Sequence, residues 1–112
     1  MTSRRRRSIL LAGATAALLM VMSSPSAEAA LRYYSVAPGV RLNVRSGPST
    51  SYPITRVLPE GAKVPIFCQT PGESITGPYG TSNIWDNIDN GEYVSDAYVN
   101  TGSDGYVAAR CA

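Results

Sequence analysis

From residue 40 onward, apolar and polar residues alternate over short stretches that are separated by turn residues. Residues 40–45 alternate strictly, with Val, Leu and Val between Arg, Asn and Arg, and Ser-Gly-Pro follows at 46–48. A second apolar stretch covers 54–58 and ends in Pro-Glu-Gly at 59–61, and a third covers 64–68. A period of two residues is typical of half-buried strands, so this part of the chain predicts three short strands.

The rest of the chain continues the same pattern after one interruption. Residues 69–82 are rich in Gly, Pro, Ser and Thr and predict a long loop. Residues 84–88 and 93–99 predict two more strands, joined by Asp-Asn-Gly at 89–91, a strong hairpin signal. Residues 106–108 predict a last short strand. With no apolar period of helical length, the sequence predicts an all-β fold, a small β-barrel of five or six short strands.

The first thirty residues have the features of an export signal. Four arginines at 4–7 precede an apolar run of 14 residues at 9–22, which is shorter than the roughly 20 residues that span a bilayer. Ala27-Glu28-Ala29 then has the small-x-small pattern of a signal peptidase site. We therefore predict a signal peptide at 1–29 and a mature domain at 30–112, with cleavage after Ala30 as the alternative.

The export route has two alternatives at this point. Residues 6–10 (RRSIL) resemble the core of a twin-arginine signal, although four consecutive arginines also suit general secretion. No second apolar stretch follows, so we expect a mature protein outside the membrane, extracellular or associated with the cell wall.

Charge and composition exclude several classes of function. The formal charge of the whole chain is +2, but residues 30–112 contain six basic and seven acidic residues. A domain with this near-neutral charge lacks the positive surface that binding to nucleic acid requires. The chain has no His, which excludes Ser-His-Asp and Cys-His catalysis and most zinc sites. We expect no catalytic residues, no metal and no cofactor.

The two cysteines, Cys68 and Cys111, both lie in the predicted exported part. In an oxidising compartment an isolated pair in a small domain most often forms a disulfide, whereas redox-active pairs usually have the spacing Cys-x-x-Cys. We predict a structural bond that closes a loop of 43 residues.

Several motifs resemble the bacterial Src-homology-3 (SH3) domain. Residues 42–49 (LNVRSGPS) look like its N-terminal signature, 57–61 (VLPEG) like its turn, and 91–99 (GEYVSDAYV) like its closing stretch, while Trp85 resembles its strand tryptophan. The stretch from Cys68 to Cys111 resembles a variant found in exported actinobacterial proteins. The resemblance implies an SH3-like barrel that recognises peptidoglycan, usually its peptide part.

Aromatic residues indicate where a ligand would bind. Seven Tyr and one Trp are many for so small a domain, and such side chains suit binding surfaces. We predict a groove lined by Tyr52, Tyr79, Trp85 and Asp86. The acidic residues between 86 and 96 are interpreted as a solvated hairpin edge, and an enzyme that used Asp86 or Asp96 is the disfavoured alternative.

The expected function is therefore a secreted, non-catalytic binding module, acting as a monomer, whose partner is cell-wall peptidoglycan. The alternative is a protein-interaction module or inhibitor that contacts a secreted protein through the predicted loop at 69–82.

Overall fold

A computed structural model describes residues 31–112, so the predicted signal peptide lies outside the described residues. Eight strands and one short 3-10 helix, Asp96–Tyr98, make up this part of the chain. The strands are β1 Tyr33–Val36, β2 Leu42–Arg45, β3 Ile54–Leu58, β4 Lys63–Pro65, β5 Cys68–Gly77, β6 Gly80–Asp89, β7 Glu92–Ser95 and β8 Val99–Asn100. The predicted all-β class is confirmed, although the strands outnumber the five or six expected.

Two antiparallel sheets form the domain. A three-stranded sheet has the order β4-β1-β8, and a five-stranded sheet has the order β3-β2-β7-β6-β5. Their inner faces share a core of branched aliphatic side chains, which includes Val36, Leu42, Val44, Val64 and Val94. Val44 and Val94 are fully buried, while Asn43 between two buried β2 residues is exposed. The alternation in the sequence therefore did predict which face of β2 is inside.

The predicted loop at 69–82 is wrong, because these residues continue into the long hairpin of β5 and β6. Cross-strand pairing runs from Cys68 opposite Asn87 to Gly77 opposite Gly80, with an irregularity between Pro71 and Ile75. Gly, Pro and Ser disfavour strands when a segment stands alone. Here the hydrogen bonds to β6 overcome that low intrinsic propensity.

The hairpin folds back onto the barrel at two glycines that leave no room for a side chain. A Cβ on Gly72 would overlap the carbonyl oxygen of Pro48, and one on Gly77 would lie 2.7 Å from that of Ala97. Glycine therefore allows the close approach of two backbones at both places.

The C-terminal tail is a second correction. Residues 106–108 form no strand, and the tail instead makes one isolated parallel bridge, between Gln69 and Arg110. The predicted disulfide is confirmed, with Cys68 bonded to Cys111 across a sequence separation of 43 residues. The bond fixes the end of the tail to the first residue of β5.

The structure predicts what removal of this bond does. In a Cys68→Ser/Cys111→Ser double variant, we expect the free energy of unfolding to fall by about 2–5 kcal/mol, because the unfolded chain regains the freedom that the cross-link removes. Urea unfolding of both proteins measures the loss. Wild type treated with reductant is the control and should show the same decrease, whereas an unchanged midpoint would contradict the stabilising role.

Candidate functional site

A groove that combines polar and apolar side chains opens along β2. Its volume is about 320 Å³, and ten residues line it: Val40, Arg41, Leu42, Asn43, Arg45, Thr50, Ile75, Trp85, Ser95 and Tyr98. Asn43 and Arg45 on β2, and Arg41 directly before it, alternate with the core residues Leu42 and Val44, so the three share the outer face. The groove thus combines a row of polar side chains on β2 with aromatic and aliphatic groups from β5, β6 and the 3-10 helix.

One wall of the groove depends on the connection between β2 and β3, residues 46–53. Arg45 donates from Nη1 to the carbonyl oxygens of Thr50 (3.1 Å) and Tyr52 (3.0 Å), which holds this connection in a closed curve. The ring of Tyr52 covers Gly47, where an added Cβ would lie 2.5 Å from the ring. Tyr52, which is half exposed, therefore packs on its own connection.

Glu73 joins this connection to the hairpin. Its Oε1 accepts two hydrogen bonds from Thr50, one from the backbone N–H (2.7 Å) and one from the hydroxyl Oγ1 (2.6 Å). These bonds from Thr50 are the main reason that the pKa of Glu73 is lowered, and nearby Arg45 adds to the effect. The backbone of Glu73 donates to Pro48 O (3.0 Å) and accepts from the indole Nε1 of Trp85 (2.9 Å). Trp85 is thereby fixed beneath the place where the two segments meet.

The four residues predicted to line one groove do not come together. Trp85 lines the groove described above, although it is 2% exposed. Tyr52 lies on the connection after β2, and Tyr79 lines a separate, smaller cavity of about 150 Å³ near the turn between β5 and β6. Asp86 follows Trp85 in β6, so its side chain points to the opposite face, where it is fully buried.

Asp86 belongs to a buried polar network. Gln69 donates from Nε2 to Asp86 Oδ1 (2.7 Å), and both residues have no exposed surface. Asp96, at the start of the 3-10 helix, is 5% exposed. No protein donor among the described residues reaches Asp86 Oδ2 or Asp96 Oδ1. The prediction of a solvated edge is therefore wrong for these two carboxyls, which a long-range contact brings into the interior.

A shared proton accounts for the two oxygens without a donor. Burial raises the pKa of Asp86 to about 9, with further contributions from the hydrogen bond to Asp96 and from its charge. Burial also raises the pKa of Asp96, while its hydrogen bond to Asp86 opposes that change. At neutral pH Asp86 is therefore protonated and donates to Asp96, which makes the pair a buried hydrogen-bonded group that carries one negative charge.

Sequence reasoning missed most of the groove, and the signals differ from residue to residue. The alternation of apolar and polar residues at 40–45 places Arg41, Asn43 and Arg45 on one face, so the sequence contains a signal for this side of the groove. Ile75 lies in the segment interpreted as a loop, and nothing local indicates that it reaches the groove. Tyr98 was counted as part of a strand, whereas it ends the 3-10 helix.

Comparisons with known proteins agree with this architecture. A family model described as "Bacterial SH3 domain" matches residues 40–111. Two relatives come from Bacillus subtilis (strain 168). Uncharacterized protein YraJ is 46% identical over 105 residues, covering 85% of this chain and 87% of its own length. Uncharacterized protein YraI is 45% identical over 92 residues, covering 73% of this chain and 77% of its own length. The narrower resemblance to exported actinobacterial proteins stays a prediction.

The buried pair predicts how stability depends on pH. In the unfolded chain Asp86 ionises near 3.8, the ordinary pKa of an aspartate, whereas the folded protein keeps the proton until about pH 9. The folded state therefore binds more protons across this window, and the free energy of unfolding falls as the pH rises. We expect a decrease of more than about 1.4 kcal/mol, the equivalent of one pKa unit, between about pH 5 and about pH 8.5.

A variant with an amide in place of the protonated carboxyl shows whether the Asp86–Asp96 pair causes this pH dependence of stability. Asp86→Asn keeps an oxygen for Gln69 and supplies an N–H to Asp96, so the decrease with pH should largely disappear. Asp89→Asn, the same substitution at an exposed position of β6, is the control and should retain it. Urea midpoints at the two pH values measure both, and a wild-type midpoint that does not change with pH would contradict the shared proton.

Proposed function

The chain belongs to the bacterial SH3 domain family, and from that membership we propose that it is a secreted, non-catalytic module that binds the peptide part of cell-wall peptidoglycan. The groove on β2 is the observation that carries the proposal. It is open, it places Trp85 and Tyr98 next to a row of polar side chains, and Glu73 holds its wall in place. Such a combination of apolar lining and a few fixed polar groups suits peptide recognition.

The location of the protein is part of the proposal. The predicted signal at 1–29 would export the domain, and the Cys68–Cys111 disulfide is consistent with an oxidising environment outside the cytoplasm. Within residues 31–112, no helix is long and apolar enough to cross a membrane. The domain would then meet the cell wall as an independent module.

The absence of catalysis is also proposed, on the arrangement of the carboxyls. The groove is lined by no Asp or Glu, Asp86 is fully buried, and Asp96, which is 5% exposed, borders the smaller cavity near Tyr79 and not the groove. General acid–base chemistry needs its carboxyl within reach of the substrate, and the fully buried Asp86 offers no such contact.

The alternative, a protein-interaction module that uses residues 69–82, is weakened by the fold. These residues form a hairpin that packs on Pro48 and Ala97, and Gln69 within them binds the C-terminal tail. Their removal would disrupt the domain, so they are not a freely presented loop.

Binding to cell walls tests the proposal, with a variant in the groove. We expect the mature domain to sediment with purified walls and Ile75→Ser to lose about tenfold in affinity, since Ile75 supplies apolar lining to the groove. Co-sedimentation at several protein concentrations gives both affinities.

A matched control exists on β3. Ile54 is 48% exposed and lies outside the groove, so Ile54→Ser should bind walls like the wild type. Melting curves establish that both variants fold. A wild-type domain that stays in the supernatant with walls of several species at low salt would contradict the proposed function.

A further inference from the structure

The polar side of the groove is a regular row on one strand. Asn43 and Arg45 lie on β2 and Arg41 directly precedes it, so the two arginines are separated by about 13 Å of extended backbone, with the amide of Asn43 between them. All three line the groove, together with the apolar groups of Ile75 and Trp85. The row has the length of about four residues of an extended peptide.

Positive charge in this groove is not neutralised by its own lining. The lining contains two guanidinium groups and no carboxylate. Among residues 31–112, the ion pair joins Arg56 to Glu92, and neither groove arginine takes part in one. Arg41 is exposed, and its side chain forms no hydrogen bond or ion pair with any described residue, although Glu60 lines a neighbouring cavity with it. Its fork is therefore free to bind an anion.

Glu73 offsets part of the charge of its neighbour Arg45, which leaves Arg41 as the arginine available to a ligand. Arg45 uses Nη1 for the carbonyl oxygens of Thr50 and Tyr52, which leaves Nη2 and Nε without a partner among the described residues. Glu73 is close enough to Arg45 for their charges to interact, and the hydrogen bonds that its Oε1 accepts from Thr50 and Ser49 stabilise its negative charge. Glu73 therefore serves to hold the wall of the groove.

From this juxtaposition, and resting on the proposed function, we propose that the groove selects an extended peptide with a free carboxylate, which Arg41 binds. A guanidinium fork matches a carboxylate with two parallel hydrogen bonds, which a neutral amide cannot reproduce. Asn43 can donate to and accept from peptide groups along the row, and the partly exposed Ile75 and Tyr98 can contact small apolar side chains. Short wall peptides that end in a free carboxylate have this chemistry, whereas neutral glycan strands do not.

A matched pair of peptides tests the carboxylate directly. The probe is the peptidoglycan stem tetrapeptide that ends in D-alanine, with its carboxylates free, and the comparison is the same peptide with every carboxylate amidated. We expect the free acid to bind about tenfold more tightly, the ratio that corresponds to about 1.4 kcal/mol. Raising the salt concentration should reduce the difference, because the contact is partly exposed.

Two arginine variants show whether Arg41 is the residue involved. In Arg41→Gln, the preference for the free acid should fall to nearly one, while the affinity for the amidated peptide stays close to that of the wild type. Arg32→Gln removes the same charge from an exposed position outside the groove and should keep the full preference. Isothermal titration calorimetry with the whole mature domain measures the affinity of each protein for both peptides.

The outcomes separate this inference from the proposed function. Equal binding of the two peptides to the wild type, or a preference that survives in Arg41→Gln, would overturn the inference while wall binding stands. Wall binding without binding of either tetrapeptide would also overturn it, because the groove would then hold something other than a stem peptide. Failure to bind both walls and peptides would overturn the proposed function itself.

Discussion

The buried side chain of Gln69 is the constraint on which much of this domain depends. Its Oε1 accepts from the backbone N–H groups of Val107 (2.7 Å) and Ala108 (2.9 Å), and its Nε2 donates to Asp86. Its own backbone bonds Ala109 and Cys111, next to the disulfide. A buried amide is costly unless all its groups are satisfied, so this one residue ties the C-terminal tail, the hairpin and the carboxyl of Asp86 together.

The opposite face of the same β5–β6 hairpin forms part of the groove. Because side chains alternate along β6, Asp86 points to the buried network while Trp85 points to the groove. Gly72 lets the hairpin lie against Pro48, and Glu73 then binds Thr50. The stability of the interior and the shape of the binding surface are therefore set by neighbouring residues of the same two strands, which explains why the domain can be small and still hold an open groove.

Local pattern was sufficient for the fold class but not for the site. The alternation of residues 40–45, the Asn-Gly turn and the isolated cysteine pair each reflect short-range chemistry, and the structure bears out the strand, the hairpin and the bond. The hairpin at 69–82 could not be predicted, because its strands are stabilised by pairing and by glycine contacts with distant segments. The buried carboxyl of Asp86 is bonded by Gln69, whose side-chain partners lie 17 to 39 residues away in the sequence.

The central claim is that the outer face of β2 is where this protein binds wall peptides, and chemical-shift mapping tests it most directly. In a titration of ¹⁵N-labelled mature domain with soluble muropeptides, we predict progressive shifts of the Trp85 indole N–H and of the backbone amides of Arg41, Asn43 and Ile75. The amides of Val107 and Ala108, which Gln69 binds, should stay in place. Shifts confined to the tail or to the turn near Tyr79, or no shifts at saturating muropeptide, would contradict it.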